Sequence, residues 1–300
     1  MAVHLIVGAG PVGSAVARHL LADGEAVRVL TRSGTGIDGV ERIAADAADP
    51  AALTAAALGA SAIYNCVNPP YDKWAQQWPP IAAALLRAAE TSGAVLATTG
   101  NLYVYGPVDR PMTEDMPMAA TGAKGQVRAQ MTRDALAAHA AGRIRAFEVR
   151  GSDYLGGNSL LGTLVAPAWR KGRTAYIPAD LDASHTWTNV DDVATLLVTG
   201  VRDERAWGRV WHVPSAAPLS IRELTAIAAQ QLGVRPKVAA LPYPALWTVG
   251  LFQPFVRELR ETQHQFRRPF VLDSTLAEQT FGLKPTAIQD SVALDLATTS

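Results

Sequence analysis

Short runs of β-branched and other apolar residues alternate with alanine-rich runs through the first half of the chain. The apolar runs are nearly continuous, which is typical of strands buried on both faces of a parallel sheet. We predict strands at Val3–Val7, Val27–Leu30, Arg42–Ala45, Ala62–Cys66, Ala94–Thr98 and Ile144–Arg150. The alanine-rich runs predict helices at Pro11–Ala22, Pro50–Leu58, Pro79–Thr91 and Gly125–Ala140.

This alternation predicts βαβ units, which form a parallel sheet covered by helices on both faces. The rhythm loosens after Arg150, where helices are predicted at Val190–Val201 and Ser220–Leu232. The second of these begins with a capping box, because Glu223 follows Ser220 by three residues. The predicted fold class is α/β, a Rossmann-type doubly wound parallel sheet with a smaller, mostly helical C-terminal domain. We assign residues 1–158 and 184–213 to the Rossmann domain, and residues 159–183 and 214–300 to the second domain.

Composition excludes several classes of function. The 300 residues are 49% hydrophobic and 18% charged, as in an ordinary globular protein. Lysine plus arginine and aspartate plus glutamate number 27 each, so we expect no nucleic-acid partner and no membrane partner. No apolar run reaches the ~18 residues that a membrane-spanning helix needs. Cys66, the single cysteine, cannot form an internal disulfide, and we expect a cytoplasmic protein.

The first strand runs directly into the sequence GAGPVG at residues 8–13. A G-x-G-x-x-G turn between a strand and a helix is typical of dinucleotide-binding proteins. Gly8 permits the tight turn, Gly10 lets the backbone approach a pyrophosphate, and Gly13 lets the helix pack closely on the strand. The pyrophosphate then lies at the positive N-terminus of the helix. In this turn and at the end of the fourth strand, the predicted cofactor-binding residues are Gly8, Gly10, Pro11, Val12, Gly13, Cys66 and Val67.

The second strand ends in Thr31, Arg32 and Ser33. An NAD enzyme usually carries an acidic residue here, which binds the ribose 2′-hydroxyl. A guanidinium with flanking hydroxyls suits a 2′-phosphate instead, so the sequence favours NADP(H) over NAD(H), unless Arg32 is only a solvated loop charge. Asp46 follows the third strand, where it could accept a hydrogen bond from the adenine amine; the alternative is that Asp46 or Asp49 caps the next helix.

Five segments, in order and over nearly the whole chain, resemble the extended short-chain dehydrogenase/reductases, the NAD(P)-dependent epimerase/dehydratase group. They are VGAGPVG (7–13), TTGNLYVYGP (98–107), VRGSDYLG (149–156), WTNVDDVA (187–194), and GRVWHV (208–213) with IREL (221–224). The resemblance implies a C-terminal domain that closes a substrate pocket over the nicotinamide. It implies a homodimer packed through the Pro79–Thr91 and Gly125–Ala140 helices. It also implies a Ser/Thr-Tyr-Lys trio, in which the tyrosine moves a proton while the nicotinamide moves a hydride.

The chain departs from that family's pattern in the trio itself. The Ser/Thr position falls on Asn101, with Thr99 just upstream, and the tyrosine four residues before the lysine is absent. Lys124 and Arg128 bracket the place of the missing tyrosine, and residues at i and i+4 share one face of a helix. In one alignment Lys124 replaces the tyrosine, while Arg128 replaces the lysine and holds the nicotinamide ribose. In another, Lys124 is the lysine and no acid remains.

Tyrosines elsewhere are the other candidate proton donors. Tyr103 and Tyr105 are predicted on the same face of an extended segment, and Tyr105 is usually structural in the resembling family, which favours Tyr103. Tyr154 is a further candidate, and His185 either borders the pocket or is structural. The predicted catalytic residues are Lys124, Asn101, Thr99, Tyr103 and Arg128, and Lys124 is also expected to contact the cofactor. No His/Cys/Asp/Glu cluster has the spacing of metal ligands, so we predict no metal.

Aromatic residues predict an apolar substrate pocket. One wall is expected after the fourth strand, at Tyr71, Trp74 and Trp78, and another at Trp169, Tyr176, Trp187, Trp247 and Phe252. We predict an NADP(H)-dependent oxidoreductase that acts on a carbonyl or alcohol group of a hydrophobic small molecule. The alternatives are a non-redox isomerase, epimerase, dehydratase or cyclase on the same fold, and a non-catalytic NADP(H)-sensing protein.

Overall fold

Seven parallel strands form the central sheet of the computed structural model, which describes residues 2–242 and 261–297. In chain order the strands are β1 (Val3–Val7), β2 (Ala26–Thr31), β3 (Glu41–Ala44), β4 (Ala60–Asn65), β5 (Val95–Asn101), β6 (Arg145–Gly151), β7 (Asp153–Leu155), β8 (Ala175–Ile177), β9 (Trp187–Asn189), β10 (Val210–His212) and β11 (Val238–Ala240). The central sheet has the order β3-β2-β1-β4-β5-β6-β10, so its order reverses between β1 and β4. Open parallel sheets bind their ligands at the carboxyl ends of the strands at such a reversal.

Helices cover both faces of this sheet, which confirms the predicted Rossmann-type doubly wound fold. They are α1 (Pro11–Ala22), α2 (Pro50–Ala57), α3 (Trp74–Ser92), α4 (Ala123–Ala140), α5 (Ala166–Arg170), α6 (Val190–Arg202), α7 (Ile221–Leu232), α8 (Thr275–Phe281) and α9 (Ile288–Ala297). Buried side chains such as Val16 of α1 and Leu197 of α6 fill the core on one face. Leu53 of α2 and Leu85 of α3 fill the core on the other.

Helix α3 begins at Trp74, well before the start at Pro79 that the sequence predicts. Pro79 and Pro80 therefore lie inside the helix, where their missing N–H groups leave two carbonyls without helical partners. Those carbonyls belong to Ala75 and Gln76, which are exposed, so water can bond to them. The other predicted boundaries differ from the observed ones by at most three residues.

Beyond β6 the chain builds a second core beside the sheet, with Leu161, Val165, Ile221, Leu224 and Val292 among its most buried members. The predicted capping box is present, since the Ser220 hydroxyl accepts the Glu223 N–H and the Glu223 carboxylate accepts the Ser220 N–H. This region also contains the strand pairs β7–β9 and β8–β11. Each strand has three residues, too few to leave a periodic signal in the sequence. Within the two described ranges, no helix is long and apolar enough to cross a membrane.

Asp295 of α9 attaches the second core to the first turn of α1. Its side chain is fully buried, and Oδ1 accepts hydrogen bonds from the backbone N–H groups of Gly156 (2.8 Å) and Gly157 (3.2 Å). Oδ2 accepts the Ser159 hydroxyl. A Cβ on Gly157, which has φ +141°, would lie only 2.8 Å from Cγ of Pro11. The carboxylate therefore fixes a loop that touches the start of α1.

Substituting Asp295→Asn should lower the free energy of unfolding by about 2 kcal/mol, because an amide cannot accept hydrogen bonds at both positions of a carboxylate. Chemical denaturation measures this change. Asp290→Asn, at an exposed position of the same helix, is the matched control and should change stability by less than about 0.5 kcal/mol. Equal stability of the Asp295→Asn variant and the unchanged protein would contradict the anchoring role of this carboxylate.

Candidate active site

The turn between β1 and α1 has no room for side chains at two of its glycines. A Cβ on Gly8, which has φ +102°, would lie 2.7 Å from the carbonyl oxygen of Cys66. A Cβ on Gly13 would lie 2.0 Å from the carbonyl oxygen of Gly8. The two glycines therefore let α1 pack directly against β1 and the residue that follows β4.

Gly10 differs from these two, because nothing lies within 4 Å of the position that its Cβ would occupy. Gly10 is the N-cap of α1, where no side chain caps the helix, and the first helical bond runs from the Ser14 N–H to the Gly10 carbonyl. The N–H groups of Val12 and Gly13 precede that bond and point out of the helix end. Open space, backbone donors and the positive end of a helix fit the pyrophosphate of a dinucleotide.

The end of β2 lies next to this turn, since the Gly8 N–H donates to the carbonyl oxygen of Leu30 at 2.9 Å. Arg32 is exposed there. Thr31 and Ser33 flank it, and their hydroxyls form hydrogen bonds within the loop that follows. Asp46, beyond β3, accepts the Ala48 N–H at 2.9 Å and so shapes the turn before α2. The exposed guanidinium is therefore the group at this edge that a ligand would meet first.

A cavity of about 450 Å³ extends from the glycine turn across the carboxyl ends of β4, β5 and β6. Gly10, Pro11 and Val12 line it on the side of the turn. Its lining also includes Cys66, Val67, Thr99 and Asn101, and the aromatic side chains of Tyr71, Trp74, Tyr103, Tyr154, Phe266 and Phe270. One continuous space therefore joins the glycine turn to an aromatic chamber.

Arg128 and Lys124 lie on one buried side of α4, at 4% and 3% exposure, but they have different surroundings. Arg128 lines the cavity, donates to the carbonyl oxygen of Thr99, and lies 4.7 Å from the centroid of the Trp78 ring. The Lys124 ammonium lies 3.3 Å from Oε2 of Glu261, whose Oε1 accepts the Lys124 backbone N–H at 2.7 Å. In the described part of the chain, Arg128 lines the cavity and Lys124 does not.

Thr99 and Asn101 both lie at the end of β5 and line the cavity. The Thr99 hydroxyl points to the Cys66 sulfur at 3.8 Å. Burial raises the pKa of the Cys66 thiol to about 12, so the thiol is neutral near pH 7. The Asn101 side-chain oxygen accepts the Tyr103 N–H at 3.2 Å. Asn101 thereby caps the next turn of the chain.

That turn, Leu102–Tyr105, is a 3₁₀ helix, so the expectation of an extended segment was wrong. With three residues per turn, Tyr103 and Tyr105 do not share a face. Tyr103 lines the cavity, whereas Tyr105 is buried, with its hydroxyl 2.7 Å from Nε2 of His212. The Asn101 cap explains why this segment forms a turn and not the expected strand, because a side chain that hydrogen-bonds the backbone two residues on favours a turn.

The hydroxyl oxygens of Tyr71 and Tyr103 lie 2.5 Å apart. Burial raises the pKa of Tyr71 to about 12 and raises that of Tyr103 well above its usual value. Burial also raises the pKa of Tyr154. All three hydroxyls therefore keep their protons near neutral pH, where they can donate hydrogen bonds but cannot serve as bases.

Asp153 is the one carboxylate among the described residues that line the cavity, and it is not among the predicted catalytic residues. Its Oδ2 lies 2.7 Å from Nε2 of His185, a buried residue that stacks on Phe266 and Phe270. Nδ1 of His185 lies 3.2 Å from the carbonyl oxygen of Gln265. A signal was present, because Asp153 follows the buried strand β6, and residues at the carboxyl ends of parallel strands meet at the ligand site.

The aromatic wall expected opposite Tyr71 and Trp74 is formed by other residues. Trp169 and Trp187 pack in the second core, and Tyr176 is 62% exposed. Phe266 and Phe270 occupy the cavity wall instead. Two further residues expected there lie outside the described ranges: Trp247 and Phe252. The hydrophobic character of a residue alone does not predict whether it lines a cavity or packs in a core, since both environments are apolar.

Comparison with known families gives one match that covers most of the chain. Residues 4–213 match the NAD dependent epimerase/dehydratase family. No relative matches among curated proteins.

Solved structures with the same fold include enzymes in complex with nucleotides. MoeE5 in complex with UDP-glucuronic acid and NAD has a TM-score of 0.79 and 20% identity, over 100% of this chain and 99% of that chain. A double mutant of DesIV, a dTDP-glucose 4,6-dehydratase from Streptomyces venezuelae with NAD bound, has a TM-score of 0.78 and 20% identity, over 99% and 96%. UDP-glucose 4-epimerase from Bifidobacterium longum in complex with NAD⁺ and UDP has a TM-score of 0.81 and 16% identity, over 98% and 97%.

The glycine turn offers a matched pair of substitutions. Gly13→Ala should lower the free energy of unfolding by at least about 2 kcal/mol, because the new methyl group collides with the Gly8 carbonyl. Gly10→Ala should change stability by less than about 1 kcal/mol, since Gly10 has φ −70° and open space around it. The same variant should bind a nicotinamide dinucleotide at least about tenfold more weakly.

Thermal or chemical unfolding and a fluorescence titration with NADPH measure the two effects. Tight dinucleotide binding by Gly10→Ala would contradict the placement of the pyrophosphate at this residue. Unchanged stability of Gly13→Ala would contradict the close contact between α1 and the turn.

Proposed function

Because the chain belongs to the NAD dependent epimerase/dehydratase family, whose members are nicotinamide-dependent enzymes, we propose that it is an NADP(H)-dependent oxidoreductase. Its substrate is a hydrophobic small molecule with a carbonyl or alcohol group. The aromatic cavity that continues from the glycine turn is the observation that carries this proposal. When bound, the cofactor supplies or accepts the hydride, while residues of the chain orient the substrate and transfer the proton.

Arg128 is the residue we assign to the nicotinamide ribose. It is the one cation among the described residues that line the cavity, and a guanidinium offers several donors to ribose hydroxyls. Its contacts with Thr99 and Trp78 hold it in place. A role for Lys124 in proton transfer stays a prediction, and it would require the ammonium to leave Glu261.

The end of β2 supports a preference for NADP(H). The exposed Arg32 lies where a 2′-phosphate would approach, and no acidic residue stands at positions 31–33. A carboxylate at this place would bind a 2′-hydroxyl and repel a phosphate, whereas a guanidinium does the reverse.

The cavity lining supports a substrate without phosphate groups. Tyr71, Trp74, Phe266 and Phe270 offer apolar ring surfaces, which suit a hydrophobic molecule. A diphosphate would meet only one cation, Arg128, among the described lining residues, and it would also meet the carboxylate of Asp153. Since like charges within one cavity repel, this lining favours a neutral ligand.

A second candidate is an epimerase or dehydratase that acts on a nucleotide sugar and regenerates its cofactor in each turnover. The family name favours it, as do the bound molecules of the similar structures, which include UDP-glucuronic acid and UDP. Net consumption of the cofactor separates the two candidates, because only the oxidoreductase uses one equivalent for each product.

Arg32→Ala should weaken NADPH binding by about tenfold and leave NADH binding within about twofold, because only the 2′-phosphate loses a charged partner. Isothermal titration with both cofactors measures this difference. Arg42→Ala is the control, since Arg42 is also exposed near this edge but is paired with Asp38. Tighter binding of NADH than of NADPH by the unchanged protein would contradict the preference.

Incubation with NADPH and a panel of aromatic and aliphatic ketones and aldehydes should cause a fall in NADPH absorbance with at least one hydrophobic member. UDP-glucose and dTDP-glucose should cause none. Each mole of alcohol formed should match one mole of NADPH consumed, which mass spectrometry of the product checks. Conversion of a nucleotide sugar without consumption of NADPH would establish the second candidate instead.

A further inference from the structure

The ring of His185 lies between two oxygen atoms. Nδ1 is 3.2 Å from the carbonyl oxygen of Gln265, and Nε2 is 2.7 Å from Oδ2 of Asp153. A carbonyl oxygen only accepts hydrogen bonds, so a ring that makes both contacts donates from Nδ1 to Gln265 and shares a second proton between Nε2 and Oδ2 of Asp153. With both hydrogen bonds made, the pair holds one proton more than a carboxylate beside a neutral imidazole.

This proton is shielded from solvent on one side and faces the cavity on the other. His185 is 3% exposed, and the rings of Phe266, Phe270 and Trp187 pack around it. Asp153 retains 30% exposure and lines the cavity. A ligand in the aromatic chamber therefore reaches the pair through the Asp153 carboxyl group.

Other ionisable groups in or near the cavity are poorer choices for proton transfer. Burial raises the pKa of the Tyr71, Tyr103 and Tyr154 hydroxyls, so each is a weaker proton donor than a free tyrosine. An arginine such as Arg128 keeps its charge in proteins. The Lys124 ammonium is bound to Glu261.

We propose that Asp153 and His185 together are the acid/base group of this site, with Asp153 as the catalytic residue and His185 as its positioning residue. The proposal rests on the oxidoreductase function proposed above and deepens it. It explains how the chain can work without a tyrosine at the start of α4, since the proton comes from the first residue of β7 instead.

In carbonyl reduction, bound NADPH would supply a hydride to the carbonyl carbon, and the C=O π electron pair would move onto the oxygen. The proton shared by Asp153 and His185 passes to that oxygen, which yields the alcohol and NADP⁺. The pair is left as a carboxylate and a neutral imidazole with its Nδ1–H on Gln265, and it regains a proton from water. In alcohol oxidation each movement is reversed.

Nitrogen-15 NMR of the cofactor-free protein with labelled histidine tests the proton count, without substrate and independently of the proposed function. We expect a His185 ring protonated at Nδ1, with an Nε2 signal that changes in Asp153→Asn. Loss of the signal in His185→Asn assigns it, or its loss in His185→Gln does so if the first variant fails to fold. A ring protonated at Nε2 alone, or one that ignores Asp153→Asn, would overturn the proposal.

The second test measures turnover with NADPH and a carbonyl compound that the protein reduces. Asp153→Asn should lower kcat by about 100-fold or more, with an unchanged Kd for NADPH, as expected for the loss of a general acid. Asp134→Asn, at an exposed position on α4, is the matched control and should keep full activity. Full activity of Asp153→Asn, with the loss appearing in Tyr103→Phe instead, would overturn the assignment. A failure to bind NADPH at all would refute the proposed function and leave the NMR result to decide the pair.

Discussion

At the end of β4, the Cys66 carbonyl oxygen lies where a side chain on Gly8 would have to be, and the Gly8 carbonyl excludes one on Gly13. These two positions set how closely α1 packs, because a side chain at either glycine would push the helix away from the sheet. The N-terminus of α1 is thereby directed into the space where the strand order reverses. The cavity begins there, so the glycine turn and the aromatic chamber share one fixed origin.

On the side of the cavity opposite the glycine turn, Arg128 is held by the buried carboxylate of Glu148 behind it. Burial acts to raise the pKa of Glu148, but Arg150 and Arg128 together hold it below its usual value, so the carboxylate stays ionised. Its Oε1 accepts from Arg150 at 2.8 Å. Arg128 therefore stands between a buried anion and the cavity, with aromatic rings beside it. A cation held in this way can bind ribose hydroxyls with little reorganisation, since its position does not depend on the ligand.

Sequence patterns predicted the sheet, the glycine turn and most helix boundaries, because these follow from local periodicity and from backbone requirements at single residues. They did not predict the surroundings of Lys124 and Arg128, because the i, i+4 spacing on α4 places both residues on the same face of the helix. The two residues differ in their surroundings because Glu261, far along the chain, binds Lys124 and not Arg128. His185 was noted but could not be paired, since Asp153 is distant in sequence and no local pattern links them. Long-range partners of this kind decide which polar residue faces the site.

A crystal structure of the protein with NADP⁺ would test most directly whether the proton comes from the Asp153–His185 pair beside the nicotinamide. We expect the nicotinamide ring in the aromatic chamber, with the Asp153 carboxyl group nearer to its C4 carbon than the Lys124 ammonium is. Lys124 should keep its contact with Glu261. A Lys124 side chain released from Glu261 and directed at the nicotinamide, with Asp153 remote from C4, would contradict the role of the Asp153–His185 pair.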